Sequence, residues 1–443
     1  MDTIPIVMTI AGSDSGGGAG IEADIKAFAA LGVHGTCAIT SITSQNTTGV
    51  LSAFDIPTSG VASQIEAVCT DMNISWAKTG MLSSPDIVRS VVGSIKKYDL
   101  NVVVDPVMTA EAGGDLLSSE ALAVVRDELM PVSKLVTPNI SEAEALSGMH
   151  VQTRQDCEIA ARAIAELGVD NVVITGGHFD ASDLIYVAAT DTFSLIEGDF
   201  VNGGTHGSGC TYSAALTAYL ARGLSVVEAA RRAKRFVERA IGASVPIGRG
   251  AAPVNQFLPL LQDASRAEVM ENTTRAVDVL AGSAPFAGLV PEVGCNIAMA
   301  LPDARGVTDV AAVNGRIVRL RDRSSVVGCV GFGASSHVAR IILAAMQFDE
   351  QVRACVNIRY SSQVLKACAD LGLTISSFDR MDEPADTSTM DWGVTYAIKE
   401  YGSVPDIIYD EGGVGKEPMV RVLGRSALDV AELAAKIAGS LDR

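Results

Sequence analysis

Short apolar runs recur along the first half of the chain, each closed by glycine or a small polar residue. They fall at residues 6–11, 35–41, 77–80, 102–104, 135–137 and 172–175. Between them lie stretches of helical periodicity, at 21–31, 84–98, 119–129 and 153–167. Strands that read as continuous apolar runs are buried on both faces, and intervening helices provide the crossovers that parallel pairing requires. The pattern predicts an α/β fold with a mainly parallel central sheet covered by helices on both sides. Ligands of such sheets bind outside the carboxyl ends of the strands. The residues just past each run are therefore the candidates for chemistry.

Those residues form a coherent set. Gly12-Ser13-Asp14-Ser15-Gly16-Gly17-Gly18-Ala19-Gly20 follows the first run, with Asp24 just inside the next helix. Gln45 and Asn46, Met81, Asp105, Asn139 with Glu142, and Thr175-Gly176-Gly177 follow later ones. A second glycine-rich turn, Gly203-Gly204-Thr205-His206-Gly207-Ser208-Gly209-Cys210, opens an Ala-rich helical pattern that continues to about Arg222. Such a turn gathers unpaired N–H groups at the positive end of a helix, which makes an anion site. Cys210 at the helix entrance is placed where a thiol's pKa tends to fall. The plainer reading is a structural cysteine behind a glycine loop. Asp105 and Glu142 suit Mg²⁺, which accepts one or two carboxylates and keeps several waters. Glu142 reads equally well as an acid in the first turn of a helix capped by Ser141.

With 443 residues the chain exceeds one ordinary core, so two or more domains are expected. A net charge of −18 argues against nucleic acid or an anionic membrane as partner, so an anionic substrate needs locally concentrated donors. The eight cysteines are scattered with no C-x-x-C pair, the pattern of reduced thiols rather than a disulfide framework. The first residues lack a basic region followed by an apolar one, and no apolar run approaches the ~20 residues of a membrane span. A cytoplasmic protein is expected.

The glycine loop Gly12–Gly20 with Asp24, Gln45-Asn46-Thr47, Gly80-Met81-Leu82, Thr137-Pro138-Asn139-Ile140-Ser141-Glu142 and Thr205–Thr211 together resemble the hydroxymethylpyrimidine/phosphomethylpyrimidine kinases (ThiD) of the ribokinase superfamily. The resemblance runs from about Thr3 to about Pro253. It implies a three-layer α/β/α domain that uses ATP and Mg²⁺ to phosphorylate an aminopyrimidine alcohol and then its monophosphate. It further implies Gly12, Asp24, Gln45 and Met81 as ring contacts and Gly207, Ser208 and Gly209 as the anion hole. Cys210 stands where many relatives carry an aspartate base, and the resemblance implies it as the base or proton shuttle. Where many relatives have Lys-Gly-Gly-His, this chain has Thr175-Gly176-Gly177-His178, so Thr175 and Gly177 line the phosphates without a cation and Lys234 is the candidate substitute. Pyridoxal-type kinases are the nearest rival, and kinases of this type are commonly homodimers.

Residues 1–255 are assigned to the kinase, 256–270 to a linker and 271–443 to a smaller α/β domain. In that second part strands are expected at 296–301, 307–313, 317–320, 354–359, 374–378 and 407–410. The stretch from Val326 to His337 superficially resembles a dinucleotide fingerprint, but Ser336 replaces its third glycine and Asn357 and Arg359 stand where a ribose-binding acid belongs. An anion at residues 334–337 fits better. Pro291-Glu292-Val293, Gly315-Arg316-Ile317, the segment 331–337, Asn357-Ile358-Arg359-Tyr360 and Gly412–Pro418 resemble the thiamine-phosphate synthase domain ThiN. That resemblance implies condensation of the pyrimidine pyrophosphate with a thiazole phosphate, giving thiamine monophosphate and pyrophosphate. Arg316 and His337 are the implied catalytic pair, with Ser335, Ser336, Asn357, Arg359 and Lys416 for phosphate. The alternative is a kinase whose second domain only binds thiamine phosphate as a sensor.

Overall fold

The computed structural model describes residues 4–108, 118–176, 181–302, 304–382, 389–413 and 415–441. The chain divides into two compact units, Met1–Leu260 and Leu261–Arg443. Among the described residues no helix is long and apolar enough to cross a membrane.

The first unit is built on β1 (Ile6–Asp14), β2 (His34–Asn46), β3 (Gly49–Asp55), β4 (Ile74–Thr79), β5 (Val102–Val104), β6 (Leu135–Val136), β7 (Asn171–Ile174), β8 (Asp183–Val187) and β9 (Thr192–Ile196). Their order in the sheet is β3-β2-β1-β4-β5-β6-β7-β8-β9, parallel from β2 to β7 and antiparallel at both edges. Successive strand residues feed opposite cores. Val102 and Val104 join one cluster and Val103 the other, as a period of two requires. Helices α1 (Gly20–Ala30), α7 (Ser208–Ala221) and α8 (Val226–Gly242) cover one face. The other is covered by α2 (Thr58–Cys69), α3 (Pro85–Tyr98), α4 (Ser119–Val124), α5 (Ile140–Ser147) and α6 (Arg154–Ala165).

Gln45 and Asn46 do not lie past a strand end but close the β2–β3 hairpin. Asn46 Oδ1 accepts from the N–H and hydroxyl of Thr48 at 2.8 and 2.6 Å, a side-chain turn that folds the polar sequence back on itself.

Helix α9 (Leu258–Gly282) leads into the second unit, so most of the stretch 256–270 is helical. There follow β10 (Ile297–Ala300), β11 (Val310–Val313), β12 (Ile317–Leu320), β13 (Arg323–Val326), β14 (Val330–Phe332), α10 (Ser336–Met346), β15 (Ala354–Arg359), α11 (Ser362–Asp370), β16 (Ile375–Ser377), α12 (Thr389–Tyr401), β17 (Ile407–Asp410), β18 (Met419–Gly424) and α13 (Ala427–Leu441). The sheet runs β14-β11-β10-β15-β18-β17-β16, with β16–β17 its parallel pair, and β12–β13 is a separate hairpin. β14 pairs antiparallel with β11 at the sheet edge, which is not the parallel strand a dinucleotide fingerprint requires. Helices α9, α11 and α13 pack on one face and α10 and α12 on the other. β18 is not foreseen in the sequence, because Arg421 breaks its apolar run straight after a glycine-rich loop.

Candidate active sites

The first site forms where two glycine loops meet. Past β1 the chain wraps around Asp14, whose Oδ1 accepts from Gly16 N at 2.8 Å and whose Oδ2 accepts from Gly18 N and Ala19 N at 2.9 and 2.8 Å. His206 Nε2, from the second loop, donates to the same Oδ2 at 3.3 Å. Burial alone would raise the Asp14 pKa, yet His206 and the three N–H groups hold it below the ordinary value. Gly207 follows with φ +79°, and a Cβ there would sit 1.9 Å from Gly18 O, so glycine is obligatory. It is the N-cap of α7 with no capping side chain; Ser208 N donates to Thr205 O at 2.8 Å, and the N–H groups of Gly209 and Cys210 lead the positive helix end. The space beside Gly209 is open for 4 Å around where a Cβ would stand. Such an arrangement can seat an anion.

Beside it lies a buried charge cluster. Lys78, in β4, has no exposed surface and donates to both carboxylate oxygens of Asp24 at 3.0 and 2.9 Å, with Thr9 donating to Asp24 at 2.6 Å. Its Nζ lies 3.8 Å from Asp105 Oδ2, to which Ser213 of α7 also donates at 2.9 Å. Burial would strip the proton from Lys78, but Asp24, Cys210 and Asp105 oppose it and the ammonium is held charged. Burial drives the Cys210 thiol up to about 12. The pull of Lys78 does not offset that, and Asp105 and Asp24 add to the rise. Glu142 forms a capping box with Asn139 at the start of α5, each accepting from the other's backbone N–H at 2.9 Å. Burial and the charge of Asp105 raise its pKa to about 8, against the N–H groups of Asn139 and Met108. Two neighbouring carboxylates that resist joint ionisation invite a divalent cation.

A Cβ on Gly12 would lie 3.2 Å from Met81 Sδ, and Thr40 holds the Met81 carbonyl at 2.8 Å. Gln45 is half-buried, its carbonyl accepting from Thr43 at 3.3 Å and its backbone exchanging hydrogen bonds with Ser15 at 2.8 Å.

In the second unit Asp410, at the end of β17, gathers four donors. Oδ1 accepts from Arg380 Nε at 2.6 Å and Gly412 N at 2.9 Å; Oδ2 accepts from Arg380 Nη2 at 3.1 Å and Arg421 Nη2 at 2.6 Å. Arg421 is wholly buried and its guanidinium lies 5.1 Å from the Phe378 ring centre. His337 lies in the first turn of α10 and is exposed as a residue, yet desolvation and the charges of Arg421, Arg380 and Arg316 lower its pKa to about 4 against the pull of Asp410. Arg316 is exposed, donates to Val293 O, and crosses Gly294, where a Cβ would lie 2.9 Å from Arg316 Cδ. Arg380, Asp410 and Arg421 thus form a buried ionic triad in this unit.

A phosphomethylpyrimidine kinase profile matches residues 14–255, and a thiamine-phosphate synthase ThiN profile matches residues 272–436. The bifunctional thiamine biosynthesis protein ThiDN of Methanocaldococcus jannaschii is 37% identical over 434 residues, covering 96% of this chain and 97% of that protein. The chain belongs to the phosphomethylpyrimidine kinase family, in its ThiN-fused form. The hydroxymethylpyrimidine/phosphomethylpyrimidine kinase of Synechococcus elongatus is 43% identical over 58% of this chain and 99% of its own length. The crystal structure of an ADP complex of Bacillus subtilis pyridoxal kinase aligns with a TM-score of 0.54 at 38% identity, covering 58% of this chain and 98% of that one. The first unit therefore has the fold of the ThiD and pyridoxal kinases.

Several residues assigned from the ThiD and ThiN resemblances sit differently. Asp24 is fully buried with its carboxylate taken by Thr9 and Lys78, so it holds Lys78 instead of facing a ring. Lys234 pairs with Asp183 at 3.0 Å and with Glu238 at 3.9 Å, so its charge is neutralised inside the protein. Thr175 is half-buried against Pro138 O, and Gly177 lies outside the described residues. The cap of α5 is Asn139, not Ser141. Asn357 accepts from Asn296 N at 2.8 Å and donates to Gly294 O at 3.3 Å, which makes it a buried cross-brace rather than a phosphate ligand. Ser335 caps α10 without a side-chain bond and Ser336 begins it, while Arg359 and Lys416 are exposed. Lys78, Arg380, Asp410 and Arg421 escape the sequence reading. A lysine inside the apolar run 77–80 was the one visible signal.

Proposed function

We propose that the first unit transfers the γ-phosphoryl group of ATP to the hydroxymethyl oxygen of the aminopyrimidine and then to the resulting monophosphate. The second unit condenses the pyrimidine pyrophosphate with a thiazole phosphate, releasing pyrophosphate and forming thiamine monophosphate. The carrying observation is the joint match of both units, in one order, to the ThiDN relative across nearly its whole length.

In the kinase the N–H groups of Gly207, Gly209 and Cys210 receive the charge on the transferring phosphoryl, while that of Ser208 is held by Thr205 O. Gly12, Met81 and Gln45 shape the ring recess, where the Gln45 amide can donate to a ring nitrogen and accept from an amine. Lys78, aimed by Asp24, keeps positive charge beside Asp105. Asp105 and Glu142 are the pair that would hold Mg²⁺. Among the described residues no third His, Cys, Asp or Glu joins them, as suits an ion that takes its remaining ligands from phosphate and water. Bound there, Mg²⁺ would neutralise phosphate charge. With its thiol near 12, Cys210 remains protonated at working pH and serves through its backbone N–H. In the synthase, Arg316 and His337 face the departing pyrophosphate, and neutral His337 can donate a hydrogen bond without bringing charge.

A homodimer fits the first unit. Ile42 and Phe54, paired across β2 and β3, stay 49% and 69% exposed. Light scattering on the Phe54→Glu chain tests this, and an unchanged mass excludes the hairpin as the interface. The function itself is tested by supplying the full chain with hydroxymethylpyrimidine, thiazole phosphate, ATP and Mg²⁺. Thiamine monophosphate is expected. Accumulation of pyrimidine pyrophosphate without it would make the second unit a sensor.

A further inference from the structure

The Asp410 carboxylate in the second unit is saturated by protein donors, and its two arginine partners are not equivalent. Arg421 comes from the centre of the sheet, on β18 between β15 and β17, with no exposed surface. Arg380 sits at a loop after β16 with its side chain 10% exposed, and it turns its Nε–Nη2 edge onto Asp410. That leaves the Nη1 end, with no hydrogen-bond partner among the described residues, for something else.

A buried Arg–Asp–Arg arrangement is costly. Apolar replacements of such triads are often as stable or more so, which makes stability alone a poor reason to keep one. Its retention is understandable where a guanidinium must be held in one orientation, because the planar fork recognises phosphate only when aimed.

We propose that Arg380 is a phosphate-binding residue of the condensation site, aimed by Asp410, and that Arg421 is the positioning residue that fixes Asp410. The inference rests on the synthase reading of this unit. Hydrogen bonds tie the triad to Arg316: Asp410 accepts from Gly412 N at the head of the loop 412–418, Glu417 of that loop accepts from Glu292 N and Val293 N at 2.9 and 3.1 Å, and Val293 O accepts from Arg316. The ligand chemistry is a phosphate ester or pyrophosphate. Its source is the pyrimidine pyrophosphate or the thiazole phosphate, and both are compatible with the fork.

The test uses the full chain, with kinase turnover as the check on folding. Arg380→Gln removes the donor, Arg380→Lys keeps charge without the fork, and Asp410→Asn and Arg421→Met disturb the aim. Loss of a charge-assisted hydrogen bond is worth about 10- to 100-fold. Arg380→Gln is expected to raise the KM of one phosphorylated substrate by that factor, and the substrate affected identifies the source. Arg421→Met and Asp410→Asn are expected to raise the same KM, with Arg380→Lys intermediate. Calorimetric titration with inorganic pyrophosphate follows the site without turnover, and Arg380→Gln is expected to weaken it relative to the parent chain. Both KM values and pyrophosphate affinity staying within two-fold in Arg380→Gln overturns the proposal. A parent chain that binds pyrophosphate but makes no thiamine phosphate overturns the synthase reading instead and leaves the calorimetric comparison to decide Arg380.

Discussion

Asp14 and His206, separated by 192 positions, meet at 3.3 Å and fasten the two glycine loops of the kinase site to each other. Asp14 orders the first by three backbone hydrogen bonds, and His206 ties it to the loop that opens α7. A Cβ on Gly18 would fall 2.3 Å from the His206 ring, so the contact also fixes a residue type on the opposing loop.

His206→Ala therefore loosens the approach of the loops without touching a ligand. A displacement of about 1 Å at a reacting centre can cost 10²-fold. Kinase turnover is expected to fall by roughly that factor, while condensation by the second unit is unchanged. Separate assays of the two activities on one preparation check this, and parallel loss of both would indicate unfolding instead.

Lys78 makes a stability prediction. Lys78→Met leaves Asp24 as an uncompensated buried carboxylate, and breaking one side of a buried pair costs about 3–5 kcal/mol. The double variant Lys78→Met, Asp24→Leu removes both charges and is expected to recover most of that loss. Urea unfolding of the parent, single and double variants measures the cycle. If the single variant is as stable as the parent, the buried pair is not strongly coupled.

How these groups escaped the sequence is instructive. The alternation of strands and helices was legible because burial on both faces leaves continuous apolar runs, and the glycine loops were legible because positive φ and close approach demand glycine. Cooperation between distant residues was not. Asp24 reads as a ligand-facing acid until Lys78, 54 positions on, is found bonded to it. Asn357 reads as a phosphate donor until Asn296 is found occupying it. Arg421 concealed a whole strand, since an arginine in an apolar run is a strand signal only when its counter-ion is known.

Cys210 separates a general base from a backbone donor. A positioned base contributes about 10²–10⁴-fold, whereas a thiol held near 12 contributes its N–H and its volume. Cys210→Ser keeps both, so its kinase turnover is expected to stay within about ten-fold of the parent, well short of the loss of a base. Alkylation by iodoacetamide at pH 8 is expected to be slow at this position and to leave no thiol-dependent inflection between pH 6 and 9. A turnover loss beyond a hundred-fold in Cys210→Ser would restore the thiolate role.

The last prediction concerns His337. Its pKa is about 4 in the folded protein against an ordinary 6.5. Between those values the unfolded chain binds more protons than the folded one, so the contribution of this residue to stability rises with pH from about 4 and is complete above 6.5. At neutral pH the ring is uncharged, and its approach to a phosphate is by hydrogen bonding alone. In the unliganded protein, NMR titration of the His337 ring, assigned by comparison with His337→Gln, is expected to show no protonation between pH 8 and 5.5. Arg421→Met removes one of the positive charges that depress it, and the midpoint is expected to move upward. Desolvation remains the larger cause, so the shift stops short of 6.5. A midpoint near 6.5 in the parent chain would mean that the arginines do not face the ring.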